Sequence, residues 1–133
     1  MIYDVDADTL IDLQRGDQAA REAMRRVVEG PNTSRVSVVV VAEYYSGCDV
    51  GDWPDVDAVI EALERLPVTL DIAIESGRYR REATRRGRTL HLPDALIAAT
   101  ARLGGATLLT RNTRDFALTD VSVVTPAEVV ARR

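Results

Sequence analysis

The sequence predicts an α/β fold, a three-layer α/β/α sandwich around a short, mainly parallel central sheet. Short β-branched runs alternate along the chain with segments whose apolar residues recur at helical spacing. Such alternation is typical of βα units, which place parallel strands between two layers of helices. The 133 residues, of which 46% are hydrophobic, suffice for one continuous core and are too few for two. We therefore expect one domain that spans residues 1–133.

The first part of the chain predicts a strand, two helices and a second strand. Residues 2–6 predict a short strand. Residues 8–13 and 18–29 have the spacing of helices. A loop at residues 30–33 follows. The β-branched run at residues 36–41 predicts, by propensity alone, a buried strand.

The middle of the chain predicts two helices separated by a brief strand. The first helix begins after Trp53 and Pro54, and Pro67 stops it. Its apolar positions are Val56, Val59, Ile60, Leu63 and Leu66. Residues 68–70 predict a short strand. Asp71 is expected to cap a long, Arg-rich helix that continues to Gly87.

The last part of the chain predicts a helix, two strands and a terminal helix. Pro93 opens the first of these helices, and the glycine pair at residues 104–105 closes it. Residues 107–110 and 121–125 are expected to be strands. Residues 126–131 complete the chain as a helix.

Polar side chains follow the apolar strands, and most of them are acidic. They are Asp6, Asp8, Glu43, Asp94, Asn112 and Asp115. In open parallel sheets, functional groups gather beyond the carboxyl ends of the strands. Each acid also has a structural explanation, because Asp8 and Asp94 suit helix starts and Asp115 suits a turn. Glu43 interrupts the apolar segment VVVVAEYYSG, where an unpaired buried carboxylate is costly, so it needs water or a cation.

Three segments carry a resemblance to a known family. They are VDADTLID at the start, VSVVVVAEYYSG in the middle, and LPDALIAATA with ATLLTRNTRDF near the end. Over nearly its whole length the chain resembles the PIN-domain nucleases, and most closely the VapC-type toxins. The resemblance implies a single PIN-like nuclease domain. It also implies that Glu43 lies on a helix that begins within the valine run, against the propensity reading.

The resemblance implies a set of site residues. Asp6, Glu43, Asp94 and Asp115 would be catalytic metal ligands, with Asp8, Thr110 and Asn112 supporting the pocket. The fourth ligand stays open between Asn112 and Asp115. The chain departs from the family at Ala7 and at Val40, where hydroxyl residues are usual, and some relatives have Asp in place of Asn112. No central acid is missing.

The acidic set points to metal-dependent chemistry. Clustered carboxylates repel one another, and oxygen-rich pockets suit hard divalent ions, so Mg²⁺ or Mn²⁺ is the expected cofactor. Such an ion lowers the pKa of bound water and stabilises charge at phosphorus. The family implies a 5′-phosphate and a 3′-hydroxyl as products. Metal-free RNA cleavage normally needs two acid–base groups, whereas His91 is the only histidine and is expected to be structural.

The charge balance restricts how RNA can bind. A net charge of −4 argues against a nucleic-acid binder, unless the acids are neutralised at a metal site. The chain has no Lys, so phosphate contacts must come from Arg. The candidates are Arg81, Arg85, Arg88 and Arg111. The alternative is an ordinary solvated helix face, with Glu75 and Glu82 as ion-pair partners.

Three rival functions remain at this point. A haloacid-dehalogenase-like phosphatase would use the DADTL segment, but it needs a downstream Lys that the chain lacks, and Asp8 and Thr9 are adjacent where it has an intervening residue. The other rivals are a housekeeping PIN nuclease in RNA processing and a non-catalytic PIN-like binding module.

The resemblance also implies a cellular setting. It implies an endoribonuclease that acts as the toxin of a type II toxin–antitoxin system, with a VapB-like antitoxin as partner and a homodimer as the assembly. The first residues have acids where a signal peptide needs basic ones, so we expect a cytoplasmic protein without a membrane segment. The single Cys48 is assigned no function.

Overall fold

The computed structural model describes residues 1–132, which form a five-stranded, fully parallel sheet between layers of helices. The strands are β1 (Ile2–Val5), β2 (Thr33–Ser37), β3 (Glu64–Leu66), β4 (Thr107–Leu109) and β5 (Val123–Val124). The helices are α1 (Ala7–Gln14), α2 (Gln18–Glu29), α3 (Val38–Ser46), α4 (Trp53–Glu61), α5 (Leu70–Arg85), α6 (Leu92–Leu103) and α7 (Pro126–Ala131). The predicted α/β/α sandwich is confirmed.

The strand order creates a crevice at the centre of the sheet. The strand order is β3-β2-β1-β4-β5. The second and third strands are therefore added on one side of β1, and the fourth and fifth strands on its other side. Strands β1 and β4 are paired in parallel, with Val5 opposite Leu109. At such a reversal the connections leave the two strands on opposite sides, which opens a crevice beyond their carboxyl ends. The residues that follow Val5 and Leu109 therefore lie at its mouth.

The core lies on both faces of the short sheet. Leu108 and Leu109 of β4 are both fully buried, as expected for a central parallel strand covered by helices on its two sides. Leu10 of α1, Tyr44 of α3 and Ile97 of α6 are buried against it at 2% exposure or less. The helices that carry the candidate acids are thus anchored by their apolar faces.

The valine run does not form the strand that its propensity predicts. Strand β2 ends at Ser37, and the four residues 38–41 belong to helix α3. Ser37 is the N-cap, and its hydroxyl accepts a hydrogen bond from the Val39 amide at 3.1 Å. Valine in a helix costs only about 0.5 kcal/mol relative to alanine, so burial of Val40 outweighs the preference. The helix that the family resemblance implied is confirmed.

The third strand lies earlier than the sequence predicted. Helix α4 ends at Glu61, and β3 occupies residues 64–66, so Leu66 belongs to a strand and residues 68–70 do not form one. The cap of α5 is Thr69 and not Asp71, because the Thr69 hydroxyl accepts from the Ile72 amide at 3.2 Å. Strand β3 is a polar edge strand fixed by its pairing with β2, which local patterns do not reveal.

The remaining elements agree with the expectations to within a few residues. Strand β5 is shorter than predicted, with two residues in place of 121–125. Short 3-10 turns at Val50–Asp52 and Thr113–Phe116 were not predicted. Within residues 1–132, no helix has the combined length and apolar character that a bilayer crossing requires.

Candidate active site

The candidate acids lie together in one open pocket at the β1/β4 crevice. The Asp6 amide donates to the Leu109 carbonyl at 2.9 Å, which extends the strand pairing up to the pocket floor. The pocket has a volume of about 510 Å³. It is lined by Asp6, Ala7, Asp8, Ile11, Glu43, Ser46, His91, Pro93, Asp94, Asn112 and Asp115. Residues distant in sequence are therefore brought to one place by the strand reversal.

Asp6 is the most enclosed of these acids, with 7% exposure. It is the N-cap of α1, and its Oδ1 accepts from the Ala7 amide at 2.8 Å. Its Oδ2 accepts from the Thr110 hydroxyl at 2.7 Å. The cap position explains the orientation of the Asp6 carboxylate. Because Asp6 is the cap of α1, Asp8 is not, and that structural explanation of Asp8 is wrong.

Thr110 connects the acids at the ends of β1 and β4. Its buried hydroxyl lies 2.7 Å from Asp6 and 3.2 Å from the nearer oxygen of Asp8. A hydroxyl has a single proton, so the shorter contact to Asp6 is the one it donates to. Its oxygen accepts from the Asn112 amide at 3.0 Å. Thr110 therefore orients Asp6 and the start of the 112–115 segment. Its supporting role in the pocket stays a prediction.

Glu43 and Asp94 reach the pocket from two helices. Glu43 lies on α3, which the buried Tyr44 anchors in the core. Asp94 lies in the first turn of α6, where the neighbouring Ala95 is fully buried. Both carboxylates line the same pocket, so each helix contributes a negative charge to it.

Mutual repulsion and burial raise the pKa of several pocket acids. Burial and then the charge of Asp8 raise the pKa of Asp6 from 3.8 to about 7. Burial, followed by Asp94, raises the pKa of Glu43 above its ordinary value. Burial, followed by Asp115, raises the pKa of Asp94, and the nearby His91 acts in the opposite direction. The ionised forms of the pocket acids are therefore destabilised, and binding of protons or of a cation would relieve their repulsion.

The segment after β4 places both candidates for the fourth ligand in the pocket. Asn112 directly precedes the 3-10 turn and Asp115 lies within it, and the Asn112 side-chain amide donates to the Asp115 carboxylate. Asp115 is thereby more than a turn residue, since its charge also raises the pKa of Asp94. The choice between the two as ligand stays open.

The donor set fits a hard divalent ion, although the side chains are not grouped as a finished metal centre. Carboxylate and amide oxygens are the ligands that Mg²⁺ and Mn²⁺ prefer. Across residues 1–132, no three acidic, His or Cys side chains are clustered tightly enough to form a ready site. Ion binding would therefore require the pocket side chains to turn toward one another. The raised pKa values of Asp6, Glu43 and Asp94 reflect a repulsion that a cation would relieve.

The candidate RNA-binding arginines lie outside the pocket lining. Arg85 pairs with Glu82 at 3.1 Å, as the solvated-face alternative predicted. Arg81 and Arg88 are exposed, and within residues 1–132 neither makes an ion pair. Arg111 lies at the rim, since its backbone amide donates to Asp8 while its guanidinium pairs with Asp12 at 2.8 Å. Their role in RNA binding stays a prediction.

Two pocket residues were missed or underrated. Ser46 was not predicted, and it lines the pocket because it lies one helical turn beyond Glu43. His91 was expected to be structural, yet it lines the same pocket. The signal for both was spacing, since Ser46 and His91 each lie three residues from a candidate acid on or beside the same helix.

The chain is similar to proteins of one family. The profile of the PIN domain matches residues 3–122. Ribonuclease VapC19 of Mycobacterium tuberculosis is 31% identical over 112 residues, which cover 84% of this chain and 90% of that protein. A toxin–antitoxin complex from Klebsiella pneumoniae contains a chain with 32% identity and a TM-score of 0.76, covering 95% of this chain and 98% of that one. VapBC2 from Rickettsia felis bound to a promoter DNA fragment has a TM-score of 0.82 at 22% identity, covering 94% and 98%.

Proposed function

This chain belongs to the PIN-domain family, and within it to the VapC ribonucleases, and from that premise we propose that its acidic pocket cuts RNA with the help of Mg²⁺ or Mn²⁺. One observation carries the proposal. Asp6, Glu43 and Asp94 come from three separate parts of the chain and line one pocket at the strand reversal. A purely structural role for three acids would not require them to share a space in which they repel one another.

Asp6, Glu43 and Asp94 would hold the ion, with Asp115 or Asn112 as the fourth group. The bound ion would supply Lewis acidity and a water of lowered pKa. Asp6 is held in one orientation by its cap and by the Thr110 hydroxyl, so that one of its carboxylate edges is fixed before substrate arrives. We expect hydrolysis within the RNA strand to leave a 5′-phosphate and a 3′-hydroxyl.

The arginines near the pocket would hold the RNA backbone. The Arg80 guanidinium donates to the Leu90 carbonyl at 3.1 Å, which ties the Arg-rich end of α5 to the residue before His91. Arg81, Arg85 and Arg88 belong to this Arg-rich end of α5 and its exit, and we propose that they bind the RNA strand outside the pocket. Arg111 flanks the opposite side next to Asp8. Guanidinium groups bind phosphates bidentately and stack on unpaired bases, which favours single-stranded or loop RNA.

We further propose that the protein is a toxin with a VapB-like antitoxin as its partner. Several similar structures are complexes of a toxin with its antitoxin, including the one from Klebsiella pneumoniae. A cavity of about 550 Å³ lies between α5, α6 and β3, and it has no lining residue in common with the acidic pocket. Leu70, Ile74 and Leu103 are exposed around it. Such an apolar surface supports self-association as a homodimer.

The test of the catalytic proposal is cleavage of single-stranded RNA. We expect wild-type protein to cut with Mg²⁺ or Mn²⁺ and to stop when excess chelator is present. Asp94→Asn should lower the rate by at least 1000-fold, on the order of a lost catalytic group, with a thermal unfolding midpoint no lower than that of the wild type. The matched control is Asp71→Asn, another first-turn helix acid that is exposed and outside the pocket.

Three results would contradict the proposal. Cleavage in excess chelator would exclude the metal, and full activity of Asp94→Asn would exclude the site. A protein that cuts no RNA with either metal but binds a protein partner would be a non-catalytic module. Induced expression with and without the adjacent reading frame separates a toxin from a housekeeping nuclease, because only a toxin should arrest growth when its partner is absent.

A further inference from the structure

His91 is a titratable pocket residue that the metal-binding scheme does not use. It occupies the N-cap position of α6 with an extended backbone, and its side chain makes no capping hydrogen bond. Its carbonyl accepts from the Ala95 amide at 3.0 Å, so the first turn of the helix fixes its backbone. Within residues 1–132, no hydrogen bond or ion pair engages the ring. The ring is thus held at the pocket but is not committed to a structural contact.

The other proton-bearing side chains at the pocket are already engaged. The Ser46 hydroxyl donates to the Glu43 carbonyl at 3.1 Å. The Asn112 amide donates to Asp115, and the Thr110 hydroxyl donates to Asp6. The remaining polar groups in the lining are carboxylates, which accept hydrogen bonds when ionised. Among the lining residues outside the proposed ligand set, His91 is therefore the one whose side chain has a hydrogen-bond donor free for substrate.

Charged groups from several elements surround His91 at the pocket. Asp94 is the nearest acid on its own helix, and His91 counteracts part of the rise in the pKa of that carboxyl. The acids from the other elements around the pocket are Asp6 and Asp8 at α1, Glu43 on α3 and Asp115 in the turn after β4. From α5, Arg80 approaches through its hydrogen bond to the Leu90 carbonyl. His91 therefore shares the pocket with the carboxylates of the proposed ligand set, and Arg80 contacts the backbone of the residue before it.

We propose that His91 is a catalytic residue that protonates the 3′-oxygen as it leaves phosphorus, a role that rests on the proposed ribonuclease function. Hydrolysis at phosphorus produces an alkoxide leaving group, which is a strong base and departs more readily when it is protonated as the bond breaks. An exposed histidine in the lining of the acidic pocket, with no other hydrogen bond to make within residues 1–132, is suited to this position.

The step is balanced in atoms and electrons. The water oxygen forms a bond to phosphorus, and the bond between phosphorus and the 3′-oxygen breaks with its electron pair remaining on that oxygen. The 3′-oxygen takes a proton from the imidazolium of His91 and becomes a hydroxyl. One proton of the attacking water passes to a pocket carboxylate and then to solvent. Solvent returns a proton to His91, and nothing is oxidised or reduced.

The experiment compares two leaving groups at the same bond. The first substrate is a short RNA that wild-type protein cuts, and the second carries sulfur in place of the 3′-oxygen at the cleaved bond. A thiolate leaves without a proton because thiols are far stronger acids than alcohols. With both substrates in one Mn²⁺ buffer, we expect His91→Ala to cut the oxygen substrate at least 100-fold more slowly, the range of a lost general acid. The sulfur substrate should be cut at nearly the wild-type rate.

Controls separate this role from a structural one and from failure of the proposed function. Asp94→Asn should slow both substrates alike, and His91→Gln, which keeps a hydrogen-bond donor but no transferable proton, should behave as His91→Ala. Added imidazole should restore cleavage of the oxygen substrate by His91→Ala. Equal loss on both substrates, no loss on the oxygen substrate, or no rescue by imidazole would overturn the role of His91. If wild-type protein cuts neither substrate, the ribonuclease function itself is wrong.

Discussion

Two buried carboxylates lie two residues apart at the end of β1, and their surroundings are opposite. Asp4 is 3% exposed, and its two oxygens accept hydrogen bonds from Arg35 at 2.7 and 3.0 Å. Asp6 is 7% exposed, and its hydrogen-bond donors are neutral groups such as the Thr110 hydroxyl. The charged group with the largest influence on Asp6 is another acid, Asp8.

The difference distinguishes a buried carboxylate that is paired within the fold, Asp4, from one that is available to a ligand, Asp6. A buried carboxylate is costly unless a positive charge and hydrogen bonds compensate it. The chain supplies that positive charge to Asp4 from the neighbouring strand. It supplies none to Asp6, so the compensating charge must come from a proton or from outside the chain. At the same strand end, the charge of Asp4 is therefore compensated by the chain itself, whereas the charge of Asp6 is available to a cation.

Removing the cation beside Asp4 should have the largest effect on stability. Arg35→Met leaves Asp4 buried without its partner, because the Arg35 side chain is itself only 12% exposed. We expect the free energy of unfolding to fall by about 3 to 5 kcal/mol. Urea denaturation followed by circular dichroism measures this loss.

A double variant shows whether the loss comes from the unpaired charge. Asp4→Val together with Arg35→Met removes both charges, and it should recover most of the stability lost in Arg35→Met alone. A double variant as unstable as the single one would mean that packing of the Arg35 side chain, and not the burial of Asp4, determines the effect. The comparison between the two acids would then lose its energetic basis.

The acids of the pocket were predictable from sequence because strand topology determines where they meet. Asp6 follows an apolar strand, and Asp94 follows Pro93 at a helix start, so both positions could be read from local pattern. Glu43 was found through its misfit in an apolar run. Its helix was not found from propensity, because four valines favour a strand and only the Ser37 cap and the burial of Val40 reverse that preference.

Other features depend on contacts that local sequence does not encode. Strand β3 has no apolar pattern and forms because it pairs with β2, with Arg35 opposite Glu64. The compensation of Asp4 by Arg35 joins residues 31 positions apart in sequence. The exposed ring of His91 could not be placed before the turn between α5 and α6 was known. The features that the sequence did not predict are therefore the ones that depend on contacts between residues distant in the chain.

Neutralising Asp6 should stabilise the protein, whereas removing the positive charge beside Asp4 should destabilise it. Burial and Asp8 raise the pKa of Asp6 to about 7, so its ionised form is destabilising in the folded state. At pH 8 without divalent ions, we expect Asp6→Asn to raise the free energy of unfolding, on the order of 2 kcal/mol. The same variant should lose RNA cleavage. Asp12→Asn is the control, since that acid pairs with Arg111 and should not be stabilised by neutralisation.

The pH dependence of stability should carry the sign of this raised pKa. Between about pH 4 and pH 7, the folded state retains a proton on Asp6 that the unfolded state has released, given the shift from 3.8 to about 7. The free energy of unfolding therefore falls as pH rises through this window, and no further loss from Asp6 follows above it. The measured quantity is the difference between wild type and Asp6→Asn in urea at each pH. A difference that is constant from pH 4 to pH 8 would contradict the raised pKa.

The smallest expected effect concerns the hydroxyl that orients Asp6. Thr110→Val keeps the shape of a fully buried side chain and removes the 2.7 Å hydrogen bond to Asp6. Because that bond lowers the pKa of Asp6, its loss should make the carboxylate bind its proton more strongly and a cation more weakly. We expect Mn²⁺ affinity, measured by titration calorimetry at pH 7, to fall about 10-fold, as for other groups that orient metal ligands. Thr100→Val removes a similarly buried hydroxyl that donates to the Leu96 carbonyl at 2.7 Å outside the pocket, and it should leave Mn²⁺ affinity unchanged. Equal losses in the two variants would mean that the hydroxyl of Thr110 supports the fold in general, and that Asp6 is oriented by its helix cap alone.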